Sequence, residues 1–405
     1  MRMEIMEKEN FYTRLDHDEK FIMNAVFYVF FVNGIFAMVM GSLLPLISQE
    51  YGLSDTVSGA LISAHSVGNL IAGFIAGVLP AYLGRKRSIM VLSSFVSLGF
   101  LLMITTGNTV LLLMAFVFTG VSRGSVSNFN NTMVNEVSNS SPSALNFLHS
   151  IFAVGAILAP IVVIVSTLLV GDQGWRLTSG IIIVLTLISL LLFSKMKIKD
   201  TVKLKEKTMS YGFLKSKGFW VNAGILFFYL AGESTINGWI VKYFVDAEIM
   251  SIGYAQILAS ILWASILVGR LTVGFIGDKF KKEHILLVTT SSTVVFYFLL
   301  LSTTNVTLIT VAIIGIGLSM AGIYPTTVSN VGKTIKDFPM AMGVLLVLGG
   351  TGSIVMPMLT GALSDKFGIF AGMSAIVVAL ILMMVCVVLL MIGTRNKEKA
   401  LLKSS

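Results

Sequence analysis

Two stretches decide the fold: Gly77-Val-Leu-Pro-Ala-Tyr-Leu-Gly84-Arg85-Lys86-Arg87 and Gly274-Phe-Ile-Gly-Asp278-Lys279-Phe-Lys281-Lys282. Each ends an apolar run with a small residue, a short turn and three bases. They stand 197 positions apart (274 minus 77), about half of the 405-residue chain. A pattern that recurs at the same place in both halves marks an internal duplication. The glycine permits close approach of two helices. An acid at a helix end can accept hydrogen bonds from the next helix's N-terminus and pair with a nearby arginine. Arg85, Arg270 and Asp278 are therefore candidate gating residues. The second half has Asp278, with Arg270 two turns earlier, where the first half has Ala81 beside Arg85, Lys86 and Arg87.

Outward from these loops the chain is apolar nearly throughout. Hydrophobic residues make up 55% and charged residues only 12%, and the mean hydropathy is +0.89. Ordinary soluble domains carry about 25% charge, so a soluble enzyme, a disordered chain and a coiled coil are all excluded. A spanning helix needs roughly 20 apolar residues. Apolar stretches at 21–47, 56–81, 88–106, 109–134, 143–169 and 176–194 give six such helices, and 219–244, 253–277, 285–303, 306–329, 340–363 and 369–392 give six more. The expected organisation is a tail over 1–20, a six-helix bundle over 21–194, a basic linker over 195–218, a second bundle over 219–392 and a tail over 393–405.

The net charge of +9 reports topology. With the N-terminus cytoplasmic, 24 of the 29 Lys and Arg fall on the cytoplasmic side and only Arg176, Lys242 and Lys366 on the other. This asymmetry satisfies the positive-inside rule, with both termini inside a multi-pass protein of the cell membrane. It gives no support for a nucleic-acid partner. The first apolar run is too long for a signal-peptide core and is expected to remain as helix one.

Two six-helix halves joined by a basic cytoplasmic linker resemble the major facilitator superfamily. The loop after helix two is similar to that superfamily's cytoplasmic signature, with Ala81 at the place of its aspartate. The resemblance covers nearly the whole chain and implies an all-α membrane protein of twelve helices in two pseudo-symmetric bundles, with a midplane substrate site and alternating access. Within the superfamily, two stretches resemble the fucose and glucose permease branch. They are Leu145-Asn146-Phe-Leu-His149-Ser-Ile-Phe-Ala-Val-Gly155-Ala-Ile-Leu-Ala-Pro160 and Phe228-Tyr229-Leu-Ala-Gly-Glu233-Ser-Thr-Ile-Asn237-Gly-Trp239-Ile-Val-Lys-Tyr243. Proton-coupled fucose permeases place acids in helices one and four. The matching positions here are Gly41, aligned on Leu43-Leu44-Pro45, and one at or near Arg123, so that proton site does not carry over. Gly155 to Pro160 also partly resembles the glycine-proline motif of proton-drug antiporters.

Charge inside a spanning helix costs about 2.5 to 3.5 kcal/mol at the centre on insertion scales, so each such residue is a functional candidate. Glu233 is the acid placed mid-helix, in helix seven, and Arg123 is the base near the centre of helix four. At helical spacing Tyr229, Glu233 and Asn237 share one stripe, and Arg123, Ser127 and Asn130 another, with Asn131 at its edge. The superfamily's cavity is lined by helices one, four, seven and ten, which adds Asn33 and Tyr324. Asn33, Asn130, Asn131, Tyr229, Asn237, Trp239 and Tyr324 supply hydrogen bonds for hydroxyls and aromatic faces for a sugar ring. Membrane asparagines also serve simply to join helices. Arg123 has three open readings: a pair with Glu233, a fork for a carboxylate or phosphate, or a backbone contact. Glu233 is the leading proton-coupling group, and His65 and His149 are candidate relays because histidine titrates near neutral pH.

No Walker loop, metal-spaced cluster or nucleophile-base set is present, so neither catalysis nor a cofactor is expected. The sequence therefore points to a secondary transporter of a small polar solute, a sugar first, driven by protons or sodium and working as a monomer. A proton-coupled exporter of drugs or metabolites and an organic-anion carrier built on Arg123 are the alternatives, with a non-transporting membrane sensor behind them.

Overall fold

The computed structural model describes residues 12–198, 211–338 and 340–404, except for the side chains of Pro142, Asp278 and 397–404. The expected linker bases Lys199, Lys203, Lys205 and Lys207 lie outside the described residues.

The described chain is a run of helices. The first half contains α1 (His17–Tyr51), α2 (Asp55–Leu83), α3 (Arg85–Thr105), α4 (Thr109–Val137), α5 (Pro142–Val170) and α6 (Gly174–Lys195). The second contains α7 (Lys217–Asp246), α8 (Ile252–Ile276), α9 (Lys282–Leu301), α10 (Val306–Met320), α11 (Ile323–Asn330), α12 (Gly332–Asp337), α13 (Met340–Phe367) and α14 (Ile369–Ser404). Among the described residues ten stretches are long and apolar enough to cross a membrane, one of which, Ser143–Lys195, holds both α5 and α6. The 30-residue α7, which carries Glu233, completes a set of twelve crossings. Caps fix the helix ends: Asp16 and Glu19 form a reciprocal capping box on α1, and Gly52, at φ 60°, closes the same helix in the left-handed region that glycine tolerates best.

The helix expected over 306–329 is broken. α10 stops at Met320 and α11 starts at Ile323. Pro325 has no N–H for the carbonyl four residues back, at Ala321, and its ring crowds that carbonyl. A discontinuous helix is typical of transporter binding regions, because the freed backbone lines a cavity. At the C-terminus α14 remains helical to Ser404, through the segment read from its charges as a tail.

Two buried clusters form the interior of the first half, and one large cluster forms that of the second. The halves meet along three helix pairs, α2 with α13, α5 with α8, and α1 with α7. With an even number of crossings both termini lie on one face, called here the terminal face. Hydrogen bonds between the halves concentrate toward the opposite, far face. Gln256 Nε2 donates to the Ser42 carbonyl at 2.8 Å, Ser260 Oγ to Ile157 at 2.9 Å and Ser63 Oγ to Ile354 at 2.6 Å. Gly41 of α1 lies so close to α7 that a Cβ there would stand 2.0 Å from the Asn237 carbonyl oxygen. Near the terminal face, by contrast, a Cβ at Gly73, Gly77, Gly274 or Gly343 would meet nothing within 4 Å. The hydrogen bonds and close backbone contacts between the halves thus gather toward the far face.

Candidate functional site

Helix seven carries the centre of the site. Its i, i+4 spacing sets Tyr229, Glu233 and Asn237 on one face, and the Tyr229 hydroxyl donates to Glu233 Oε1 at 2.8 Å. The Asn237 amide donates to the Glu233 backbone carbonyl at 2.8 Å. Tyr324, next to the break between α10 and α11, is tilted 50° to the Tyr229 ring with centroids 6.4 Å apart. Glu233 and Tyr324 are both half-buried.

Two arginines approach this group from opposite halves. Arg123 of α4 has Glu233 as its electrostatic partner, and it also lies within Coulombic range of His65. Arg270 of α8 lies within Coulombic range of Tyr229, Tyr324 and His149. Among the described residues neither guanidinium makes a hydrogen bond or an ion pair within 4.0 Å. Arg123 and Glu233 thus lie within electrostatic range of each other without a contact ion pair. Arg270 is expected at a gate beside Asp278; what the described residues show is its electrostatic reach to Tyr229 and Tyr324. The Asp278 side chain lies outside the described residues.

The remaining expected residues divide. Asn33 and Asn130 are buried, at 1% and 0% exposure, with both polar atoms of each amide unpartnered. Asn131 donates to the Ser127 carbonyl on its own helix at 2.7 Å. Trp239 is fully buried in the second half's core, its Nε1 unpartnered, so it is not an open aromatic face in this conformation. His65 Nδ1 bonds Thr119 Oγ1 at 2.9 Å, between α2 and α4, and its Nε2 has no partner. His149 is exposed on α5, edge-on to Phe30 at 5.5 Å. Among the described residues no cluster of His, Cys, Asp or Glu is arranged for a metal ion.

Arg85, expected at a gate, is buried and pairs with Glu136 at the end of α4 at 2.7 Å. The acid missing at Ala81 is thus supplied to Arg85 by another helix of the same half. Sequence reasoning missed the charges at the far face: Lys242 pairs with Asp55 at 3.0 Å and with Asp246, and Glu50 binds both Trp175 Nε1 at 2.6 Å and Arg176. Lys242 stood out in the sequence only as one of three bases on that side.

A two-half helical membrane protein with charged and polar groups converging between its halves has the build of a small-molecule transporter. The Major Facilitator Superfamily matches residues 26–336 and 223–404, and the chain belongs to that superfamily. It is similar to the hexuronate transporter of Bacillus subtilis (strain 168), 24% identical with 81% of this chain and 84% of that protein covered. It is also similar to a TsgA homolog of Erwinia tasmaniensis, 23% identical over 86% of this chain and 89% of that one. Among solved structures, nucleoside transporter NupG superposes with a TM-score of 0.72 at 14% identity, covering 93% and 98% of the two chains. A bacterial homolog of the human lysosomal transporter Spinster, inward-facing and occupied, gives 0.74 at 16% identity, covering 91% and 96%. These likenesses support the superfamily; the fucose and glucose permease branch finds no support in them.

Proposed function

We propose that the protein takes up a small polyhydroxylated solute bearing a carboxylate, such as a sugar acid, together with protons, by alternating access. The observation that carries this reading is the pair Arg123 and Arg270. They bring two guanidiniums, one from each half, within electrostatic range of the group around Glu233, and among the described residues neither makes a contact ion pair. An unpaired charge within a membrane protein is costly, and a planar guanidinium binds a carboxylate through two parallel hydrogen bonds. A carboxylated ligand between the halves offsets the excess charge and gives both halves a shared contact. Asn33, Asn130, Asn131, Asn237 and Tyr324 supply the hydroxyl contacts. That a relative is a hexuronate transporter supports the same class of cargo.

Glu233 is the proton-coupling group in this reading. It shares the interior with Arg123, so protonating it and binding an anion each change the balance of charge felt by the other. The bias of 24 to 3 in Lys and Arg supports a cytoplasmic terminal face, and on this reading the state described is open inward and closed to the outside.

Isothermal titration of the purified protein with galacturonate, galactose and a nucleoside tests the cargo. The uronate is expected to bind, with affinity falling at least about tenfold in Arg123→Gln and in Arg270→Gln. Tighter binding of galactose or the nucleoside, insensitive to both substitutions, overturns the proposal.

A further inference from the structure

One carboxylate joins the two halves at a helix end. Asp365, in the last turn of α13, accepts hydrogen bonds from the backbone N–H groups of Asp55 and Thr56, both at 2.8 Å. These are the first two residues of α2, whose own cap, Ser54 Oγ, serves only Val57. Four N–H groups at a helix start have no partner within the helix, and the helix dipole favours an anion there. Asp365 thus caps a helix of the other half. Around it the backbones nearly touch: a Cβ at Gly361 would lie 2.2 Å from the Asp55 carbonyl oxygen, and one at Gly59 2.4 Å from that of Pro357. Lys242 of α7 fastens Asp55 from a third helix.

The other end of the same helix pair is built differently. α2 ends at Leu83, near Ala81, and α13 begins at Met340. Where Asp365 stands at the C-terminal end of α13 facing the start of α2, the C-terminal end of α2 has Ala81 and no carboxylate side chain over Gly77 to Arg87 with which to face the start of α13. Gly77 and Gly343, at those terminal-face ends, would meet nothing within 4 Å if given a Cβ.

We infer that Asp365 is a latch between the halves that holds the far face shut, and that the α2–α13 pair is latched at this end alone, so the resting transporter is biased toward the state described here. Opening the far face must break both Asp365 bonds and expose the start of α2. An acid introduced at position 81 supplies the opposite end with the same kind of contact and offsets the bias. The latch stands apart from the identity of the solute, since none of its groups lies in the Arg123–Glu233 site.

Pulsed electron-spin distances test it. Labels at Leu169→Cys on α5 and Thr304→Cys before α10, both exposed positions at the far face, are placed in full-length protein with its one cysteine replaced (Cys386→Ala). The parent is expected to show one short distance. Asp365→Asn is expected to raise the population of a longer distance about tenfold, the change given by a loss of ~1.4 kcal/mol, while Asp365→Glu stays nearer the parent. Ala81→Asp, which removes no existing contact, is expected to raise the same population. Distance distributions that superimpose on the parent's in both Asp365→Asn and Ala81→Asp overturn the inference, whatever the protein transports.

Discussion

Gly41→Ala is the most direct mechanical test of the closed far face. A Cβ at position 41 would lie 2.0 Å from the Asn237 carbonyl oxygen and 3.0 Å from its carbon, where ordinary contact begins at 3.4 Å. The obstacle is backbone, so no side chain can swing aside, and α1 and α7 must separate by about 1.4 Å to admit one methyl group. Overpacking of this kind costs about 1 to 3 kcal/mol. The penalty falls only on the state in which the helices touch, so the ratio of far-face-open to far-face-closed protein rises about 5- to 150-fold. Ile62, whose side chain packs on Gly238 of α7, is sealed in the closed state at 6% exposure. An Ile62→Cys probe in the Cys386→Ala background, attacked by a membrane-impermeant maleimide from the far side, is expected to react faster by that factor when Gly41→Ala is added. Equal labelling rates with transport intact would refute the reasoning.

Three further outcomes follow from named contacts. Glu136→Gln leaves the buried Arg85 guanidinium without its carboxylate; because Glu136 is 49% exposed, the discounted loss is about 1 to 2 kcal/mol, read as a lower unfolding midpoint in detergent. Pro325→Ala restores an N–H where α10 breaks from α11 and is expected to straighten the helix beside Tyr324, lowering uptake at least about tenfold at unchanged protein yield; full uptake would show that the break is incidental. Lys242→Met strands Asp55 and Asp246 at the far face and is expected to increase maleimide reaction at Ile62→Cys, whereas an unchanged rate would leave Lys242 without a role in closure.

The parts legible in the sequence were those encoded along one helix. Twelve crossings follow from runs of about 20 apolar residues, and the Tyr229–Glu233–Asn237 face follows from spacing alone, as the 2.8 Å bonds show. Contacts between helices were not legible. Arg85 is visible beside its loop, but its pairing with Glu136 depends on how α2, α3 and α4 pack. Asp365 and Asp55 are 310 positions apart, and neither carries a motif. Lys242 read as an ordinary outside base because burial at 6% is a tertiary property. The spacing of Arg270 from Asp278 suggests a gate, and its electrostatic reach to Tyr229 and Tyr324 could not be read from that spacing. Pro325 was visible beside Tyr324, yet the apolar run around it hid the break.

The central claim is that protons and a carboxylated solute meet between Arg123, Arg270 and Glu233. Proteoliposomes holding wild type or Glu233→Gln, given an inward proton gradient and labelled galacturonate, test it most directly. The wild type is expected to accumulate galacturonate above equilibrium, and Glu233→Gln to lose that accumulation with counterflow exchange intact. Accumulation that survives in Glu233→Gln, or gradient-driven uptake of neutral galactose with none of galacturonate, would contradict it.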